Sequence, residues 1–237
     1  TCVAMTQGSI GYWLQNALTN EFEKRNIAKP VISVVTQVRV DKEDPSFKKP
    51  SKPIGPFYTK EEADAEAAKD GSTYVEDAGR GYRKVVPSPM PKEIVEKEAV
   101  RALVEADVLT ICSGGGGIPV VAEDGQYVGV EAVNDKDFSA RVLAENVDAD
   151  RLIILTGVDN IYINYNQPDQ KALEQISVAE AEEYIKEGHF AAGSMLPKIE
   201  AALDFVKGDD KRKAIITSIE NLENIDKEAG TVISQKG

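Results

Sequence analysis

Histidine and cysteine are scarce in this sequence: one and two, respectively, among 237 residues. With His189 as the only imidazole, a Ser-His-Asp triad or a histidine-rich metal site has little support. His189 falls just past an expected helix end, where a surface or capping role is the simpler reading. Cys2 and Cys112 lie far apart in apolar company (CVAM and LTICS), which makes neither a disulfide framework nor a zinc spacing and points to a reducing cytoplasm. Long apolar runs are missing too, and none approaches the ~18–20 residues of a membrane span. Positive charge is in the minority: 28 Lys and Arg against 40 Asp and Glu give a net charge of −12. A surface of that sign repels duplex nucleic acid and anionic membrane, so neither is expected as a partner. An initiator methionine is absent as well. Thr1 runs straight into patterned sequence with no signal-type segment, and the expectation is the remainder of a longer polypeptide.

What is present is ordinary globular composition, 42% hydrophobic and 29% charged. Ile10, Trp13, Leu14, Ala17, Leu18 and Phe22 recur at helical spacing and predict a helix over 9–25. The β-branched run Val31–Val40 predicts one strand. Asp41–Phe57 carries four prolines and is expected to lack regular structure. Thr59-Lys60-Glu61-Glu62 and Ser177-Val178-Ala179-Glu180 are capping boxes that open helices. Short strands are expected at 74–76 and 82–86, around the turn EDAGRG. Helices are expected over 91–106, 135–146 and from Pro197 to 207. Strands are expected at 108–112, 152–155, 162–164, 214–217 and 231–234, with a hairpin over 118–130 turning at Asp124-Gly125. Apolar strands alternating with helices predict an α/β fold with a mostly parallel sheet covered on both faces. The stretch from about 38 to 88 breaks the alternation and reads as an inserted subdomain.

In such folds ligands bind beyond the carboxyl ends of the strands. Ser113-Gly114-Gly115-Gly116-Gly117 follows an expected buried strand, and its glycines can expose amides to an anion or simply make a flexible turn. It is neither a Walker loop nor a dinucleotide fingerprint. At Asn134-Asp135-Lys136-Asp137 the aspartates suit a helix N-terminus, whereas Lys136 there needs an acidic neighbour or an anionic ligand. Gly193-Ser194-Met195-Leu196-Pro197-Lys198 places another lysine in a first helical turn. Two such lysines suggest a polyphosphate site. Lys52, in PSKPIGPF, is either a cation held by stiff flanking prolines or one solvated lysine among several.

The stretches CVAMTQGSIGY, KPIGPFYT, EDAGRGYRKVVPSP, GGGGIPVV, GVEAVNDKDF, LTGVDNIYINY and GHFAAGSMLPK together resemble carbamate kinase, of the amino acid kinase superfamily. The resemblance covers essentially all 237 residues. It implies reversible phosphoryl transfer between ATP and carbamate, giving ADP and carbamoyl phosphate, run toward ATP in arginine degradation. It also implies an α/β/α sandwich around a mainly parallel sheet, one domain over 1–237 with a protruding subdomain at about 38–88, and a cytoplasmic homodimer. Residue by residue, it assigns Lys136 and Lys198 to the transferring phosphoryl group, with Asp137 orienting them. Gly114, Gly115, Gly116 and Gly117 would line the carbamate and phosphoryl pocket, with Lys52 reaching in from the subdomain. Gly157, Val158, Met195 and Pro197 would border the nucleotide. Mg²⁺ would ride on the nucleotide phosphates, with no metal ligands supplied by the chain.

The sequence departs from the family in places. Ala192 stands where Pro is common, and Asn134 where Ile is common. The family's opening GGNA-type and GNGPQ-type loops are absent, which corresponds to about two βα units, or roughly 60–80 residues. The expectation is that a chain beginning at Thr1 does not catalyse by itself. The alternatives are a carbamate-kinase-like carbamoyl-phosphate synthetase and an inactive nucleotide-binding remnant. An acetylglutamate-kinase type is disfavoured by KPIGPF and EDAGRG.

Overall fold

The computed structural model describes residues 1–77 and 79–237. Ala78, inside the EDAGRG turn, lies outside the described residues. The chain divides into two compact units, Thr1–Ser139 and Ala140–Gly237.

The first unit opens with α1 (Cys2–Lys24), β1 (Val31–Ser33) and β2 (Gln37–Arg39). An excursion follows: β3 (Lys52–Tyr58), α2 (Lys60–Asp70), β4 (Thr73–Glu76) and β5 (Tyr82–Val86). Then come β6 (Glu93–Ile94), α3 (Lys97–Glu105), β7 (Leu109–Ile111), β8 (Ile118–Glu123), β9 (Gln126–Gly129) and the first turn of α4 (Lys136–Asn146). β1 pairs in parallel with β7. A second sheet runs β6-β2-β8-β9, parallel between β2 and β8 and antiparallel at its flanks. The excursion makes its own antiparallel sheet, β3-β5-β4.

Four expectations change here, each because a tertiary partner overrides local pattern. α1 begins at Cys2, about two turns before residue 9. Those turns carry the buried Gln7, whose amide accepts from Thr36 N–H (2.8 Å) and donates to the Thr36 carbonyl (3.2 Å). That same clasp at Thr36 divides the expected strand 31–40 into β1 and β2, which pair in different sheets. Residues 91–96 do not join a helix, because Glu93–Ile94 pair with β2 and the Glu96 carboxylate accepts from Gln37 N–H (2.8 Å). The fourth change is β3. Lys52–Tyr58 is a strand despite Pro53 and Pro56, and it lies at a sheet edge, where a residue without an N–H is tolerated.

The second unit contains the rest of α4, β10 (Arg151–Thr156), β11 (Ile161–Ile163), β12 (Lys171–Leu173), β13 (Gln175–Ser177), α5 (Val178–Lys186), α6 (Met195–Lys207), β14 (Lys213–Ser218) and β15 (Thr231–Ser234). The sheet order is β10-β14-β15-β13. The β10–β14 and β13–β15 pairs are parallel and the central β14–β15 pair is antiparallel. β14 is buried along almost its whole length, as its apolar run Ala214–Ile216 requires. α6 covers it with the buried Ile199, Ala202, Leu203, Phe205 and Val206. Both expected capping boxes form, at Thr59 and Ser177. β12 and β13, each three residues long, are too short to carry a period and escaped the sequence pattern.

Phe205 is fully buried and carries the Arg212 guanidinium 4.9 Å from its ring centre. Phe205→Ala is expected to destabilise the protein by about 3–5 kcal/mol. Ile219→Ala, at a residue 66% exposed, should stay within about 0.5 kcal/mol. Urea unfolding midpoints of the two variants test the assignment of this core.

Candidate functional site

The glycine loop of the first unit follows β7, as the alternation of elements requires. Ser113 takes up a left-handed conformation (φ 56°) and Gly115, Gly116 and Gly117 continue at φ 70°, 96° and 79°. Only glycine fits this path. A Cβ at Gly116 would come 2.5 Å from the Asn134 carbonyl oxygen, and one at Gly117 would overlap the Val38 side chain. The loop is not the flexible turn that its composition also allowed. Gln7 Nε2 donates to the Gly114 carbonyl (2.9 Å), Ser113 N–H donates to Thr36 Oγ1 (2.9 Å), and Gly117 N–H donates to the Gly114 carbonyl (3.1 Å).

The Gly116 carbonyl accepts twice, from Asn134 Nδ2 (3.1 Å) and Ser139 Oγ (2.8 Å), both donors fully buried. The loop is therefore fastened to the start of α4, where Lys136 and Asp137 occupy the first two helical positions. Asn134 Oδ1 and Ser113 Oγ are buried beside the loop without a hydrogen-bond partner. Cys112, at the end of β7, is half-buried, and burial pushes its thiol up to about 11, which favours the protonated form at neutral pH.

Lys52 also meets the start of α4. Its ammonium group lies 2.7 Å from Asp135 Oδ2, with the side chains 35% and 17% exposed. The other oxygen of Asp135 caps the helix by accepting from Asp137 N–H (2.9 Å). Lys52 thus sits in a strand, paired with Val86 of β5, and its ammonium group is engaged by Asp135 rather than by solvent alone. The sequence presents Asp135 only as a complement to the helix dipole, yet it is the Lys52 partner. Its signal was visible as an N-cap residue directly before the helix. Lys136 is exposed and makes no ion pair among the described residues.

In the second unit a pocket of about 580 Å³ opens where β10 ends. Gly157, Val158 and Met195 line it, as expected for nucleotide-bordering residues. Pro197 and Lys198 are not in its lining; they follow in the first turn of α6, where the missing N–H of Pro197 leaves no intrahelical bond unmade. The lining also includes Tyr162, Tyr165, Phe190 and His189, none of which the sequence pattern singled out as binding residues. The Tyr162 and Tyr165 rings stand 5.9 Å apart. Aromatic walls with a few polar edges, at this volume, suit a drug-sized planar ligand. His189 is not a bare surface residue: it sits in the wall, 3.0 Å from Glu187 and edge-on to Tyr184.

Residues 57–218 match the family model described as the amino acid kinase family. Carbamate kinase 1 of Enterococcus faecium is 58% identical over 237 residues, 99% of this chain and 76% of that protein. Carbamate kinase of Lentilactobacillus hilgardii is 55% identical over 238 residues, 100% of this chain and 74% of that protein. Among solved structures, carbamate kinase from Giardia lamblia bound to AMP-PNP superposes with a TM-score of 0.88 at 45% identity, covering 98% of this chain and 74% of that one. The chain thus spans about three quarters of the length of these relatives.

Gly116→Ala and Gly117→Ala should each cost roughly 1–3 kcal/mol through the backbone alone, with steric overlap adding to it. Gly114, whose φ is not positive and whose Cβ would meet only the Gln7 side chain at 3.3 Å, should tolerate Ala far better. Chemical denaturation of the three variants should separate Gly114→Ala from the other two. Equal losses in all three would contradict the loop geometry.

Proposed function

This chain belongs to the amino acid kinase family, and we propose that it is a carbamate kinase, transferring phosphate reversibly between ATP and carbamate. The observation that carries the reading is identity above one half with proteins of that name, over essentially every residue of the chain. The physical chemistry of the residues agrees with it. Phosphoryl transfer needs positioning and neutralised charge more than a covalent nucleophile, and the cationic groups and glycine amides are of the kind that supply both.

In this reading Lys136 and Lys198 offset charge on the transferring phosphoryl group, and Asp137 orients them. Gly114 to Gly117 line the carbamate end, and Lys52 acts from the subdomain at about 38–88, inserted in a single domain over 1–237. Gly157, Val158, Met195 and Pro197 border the nucleotide, with the Tyr162 and Tyr165 rings suited to its base. Mg²⁺ would ride on the phosphate oxygens of the nucleotide. Both oxygens of Asp135 are already engaged, by Lys52 and by Asp137 N–H, so the donor set near α4 suits a metal carried on phosphate oxygens. The metal supplies further neutralisation of the phosphates. The same reading takes the protein to be a cytoplasmic homodimer that runs toward ATP in arginine degradation.

Lys136→Ala and Lys198→Ala should each slow ATP formation from carbamoyl phosphate and ADP by roughly 10²–10³-fold, by analogy with other lost electrostatic stabilisers. Lys136→Ala should leave the melting temperature unchanged, since its side chain is exposed and forms no ion pair among the described residues. A coupled ATP assay beside thermal unfolding tests both. With every variant made in the full-length protein, near-normal turnover of either one removes that lysine from the mechanism, and a full-length wild-type protein inactive beside a working relative removes the reading itself.

A further inference from the structure

Strand β3 should be a poor platform for a functional side chain. Two of its seven residues, Pro53 and Pro56, have no N–H to donate, and its ladder with β5 loses register between Ile54 and Tyr58. Gly55 sits in that gap at φ 73°, a conformation outside any ladder. Yet Lys52, at the head of the strand, holds a 2.7 Å ion pair with Asp135.

One side chain fills the gap. Arg83, on β5, donates from Nε to the Gly55 carbonyl at 3.0 Å. Its guanidinium lies 5.1 Å from the centre of the Phe57 ring, two residues further along β3. Asp77 anchors it from the other side at 3.2 Å, and both side chains of that pair are largely shielded, at 23% and 17% exposure. The guanidinium therefore ties the displaced half of β3, through a carbonyl and through a ring, to β5 and to the turn after β4. Neighbouring Arg80 shares Asp77 (3.3 Å) and Phe57 (4.8 Å), but it is 61% exposed and does not reach Gly55. Among the described residues, only Arg83 combines the three contacts. A lysine there could keep the charge but would lose the flat, directional Nε donation.

We propose that Arg83 is the positioning residue for Lys52: by bracing β3 at Gly55 and Phe57, where its pairing with β5 is interrupted, it holds the strand that presents the ammonium group to the start of α4. The inference rests on the part of the proposed function that gives Lys52 a role in phosphoryl transfer.

The test is a double-mutant cycle in the full-length protein, with a second readout that does not depend on turnover. Arg83→Gln should lower kcat for ATP formation by about 10-fold or more, the scale expected when a charged group is misplaced by a fraction of an ångström to 1 Å. KM for ADP should hold. Arg83→Lys should recover only part of the loss, and Arg80→Gln should behave as wild type. In a Lys52→Ala background, Arg83→Gln should cost nothing further, because its effect passes through Lys52. In parallel, mass-spectrometric acetylation of the folded protein should show Lys52 modified several-fold faster in Arg83→Gln, with Lys48 and Lys49 unchanged. Additive losses in the cycle, or unchanged Lys52 labelling, overturn the positioning role while leaving Lys52 itself intact. A Lys52→Ala variant with normal turnover overturns the role assigned to Lys52, and this inference with it. If Arg83→Gln does not fold, the same cycle and labelling on Arg83→Lys decide the matter.

Discussion

The geometry of the first unit depends on how the chain enters α4. Asn134 and Ser139 both donate to the Gly116 carbonyl, while Asp135 caps the helix with one oxygen and receives Lys52 on the other. Two segments far apart in sequence, the glycine loop and the proline-rich strand, thus converge on six consecutive residues. Each bond is worth only about 1 kcal/mol net, more where a charge takes part. Their placement matters more than their sum. They are largely shielded from water, so the loss of any one leaves a buried polar group unmet, which costs more than the bond contributed. Asn134 shows the consequence in this chain, where one amide end is engaged and the other is buried without a partner.

Much of this was legible in the sequence because it is local. Capping boxes, the Asp-Gly hairpin turn and the apolar stretch of β14 follow from neighbours in the chain, and they appear where expected. The misjudged segments share another cause. The first turns of α1, the break at Thr36 and the non-helical 91–96 are all decided by side chains that reach across to another element, Gln7 and Glu96 foremost. A propensity argument sees Val31–Val40 as a uniform β-former; it does not see that one residue in the middle is claimed by a helix 29 positions earlier. For the same reason the glycine loop was visible as a candidate while its rigidity was not.

The site residues divide in the same way. Lys136, Lys198 and Gly114 to Gly117 stand out because their residue types are unusual for their positions. Gly157, Val158 and Met195 came from family resemblance, and they do share one pocket. Tyr162, Tyr165, Phe190 and His189 gave no such signal. An aromatic residue beside a β-strand reads as core until a pocket is seen against it. His189 illustrates the limit of inference by scarcity: being the only histidine argued against imidazole catalysis, and that argument says nothing about a place in a wall.

The prolines of β3 carry the last point. Breakers inside a strand usually argue against the strand, and the four prolines of Asp41–Phe57 do so from sequence alone. At a sheet edge the objection weakens, since an edge residue can lack an N–H without leaving a ladder partner unmet. What remains is stiffness. Proline fixes φ near −65°, and two of them flanking Ile54-Gly55 limit the ways in which the strand can deform. A bulge in such a strand needs an external brace, because the ladder that would normally define it is interrupted at the same point. Arg83 supplies that brace from the adjacent strand. It is also a route by which a substitution three residues along the ladder from Lys52 could disturb chemistry without touching a reacting atom.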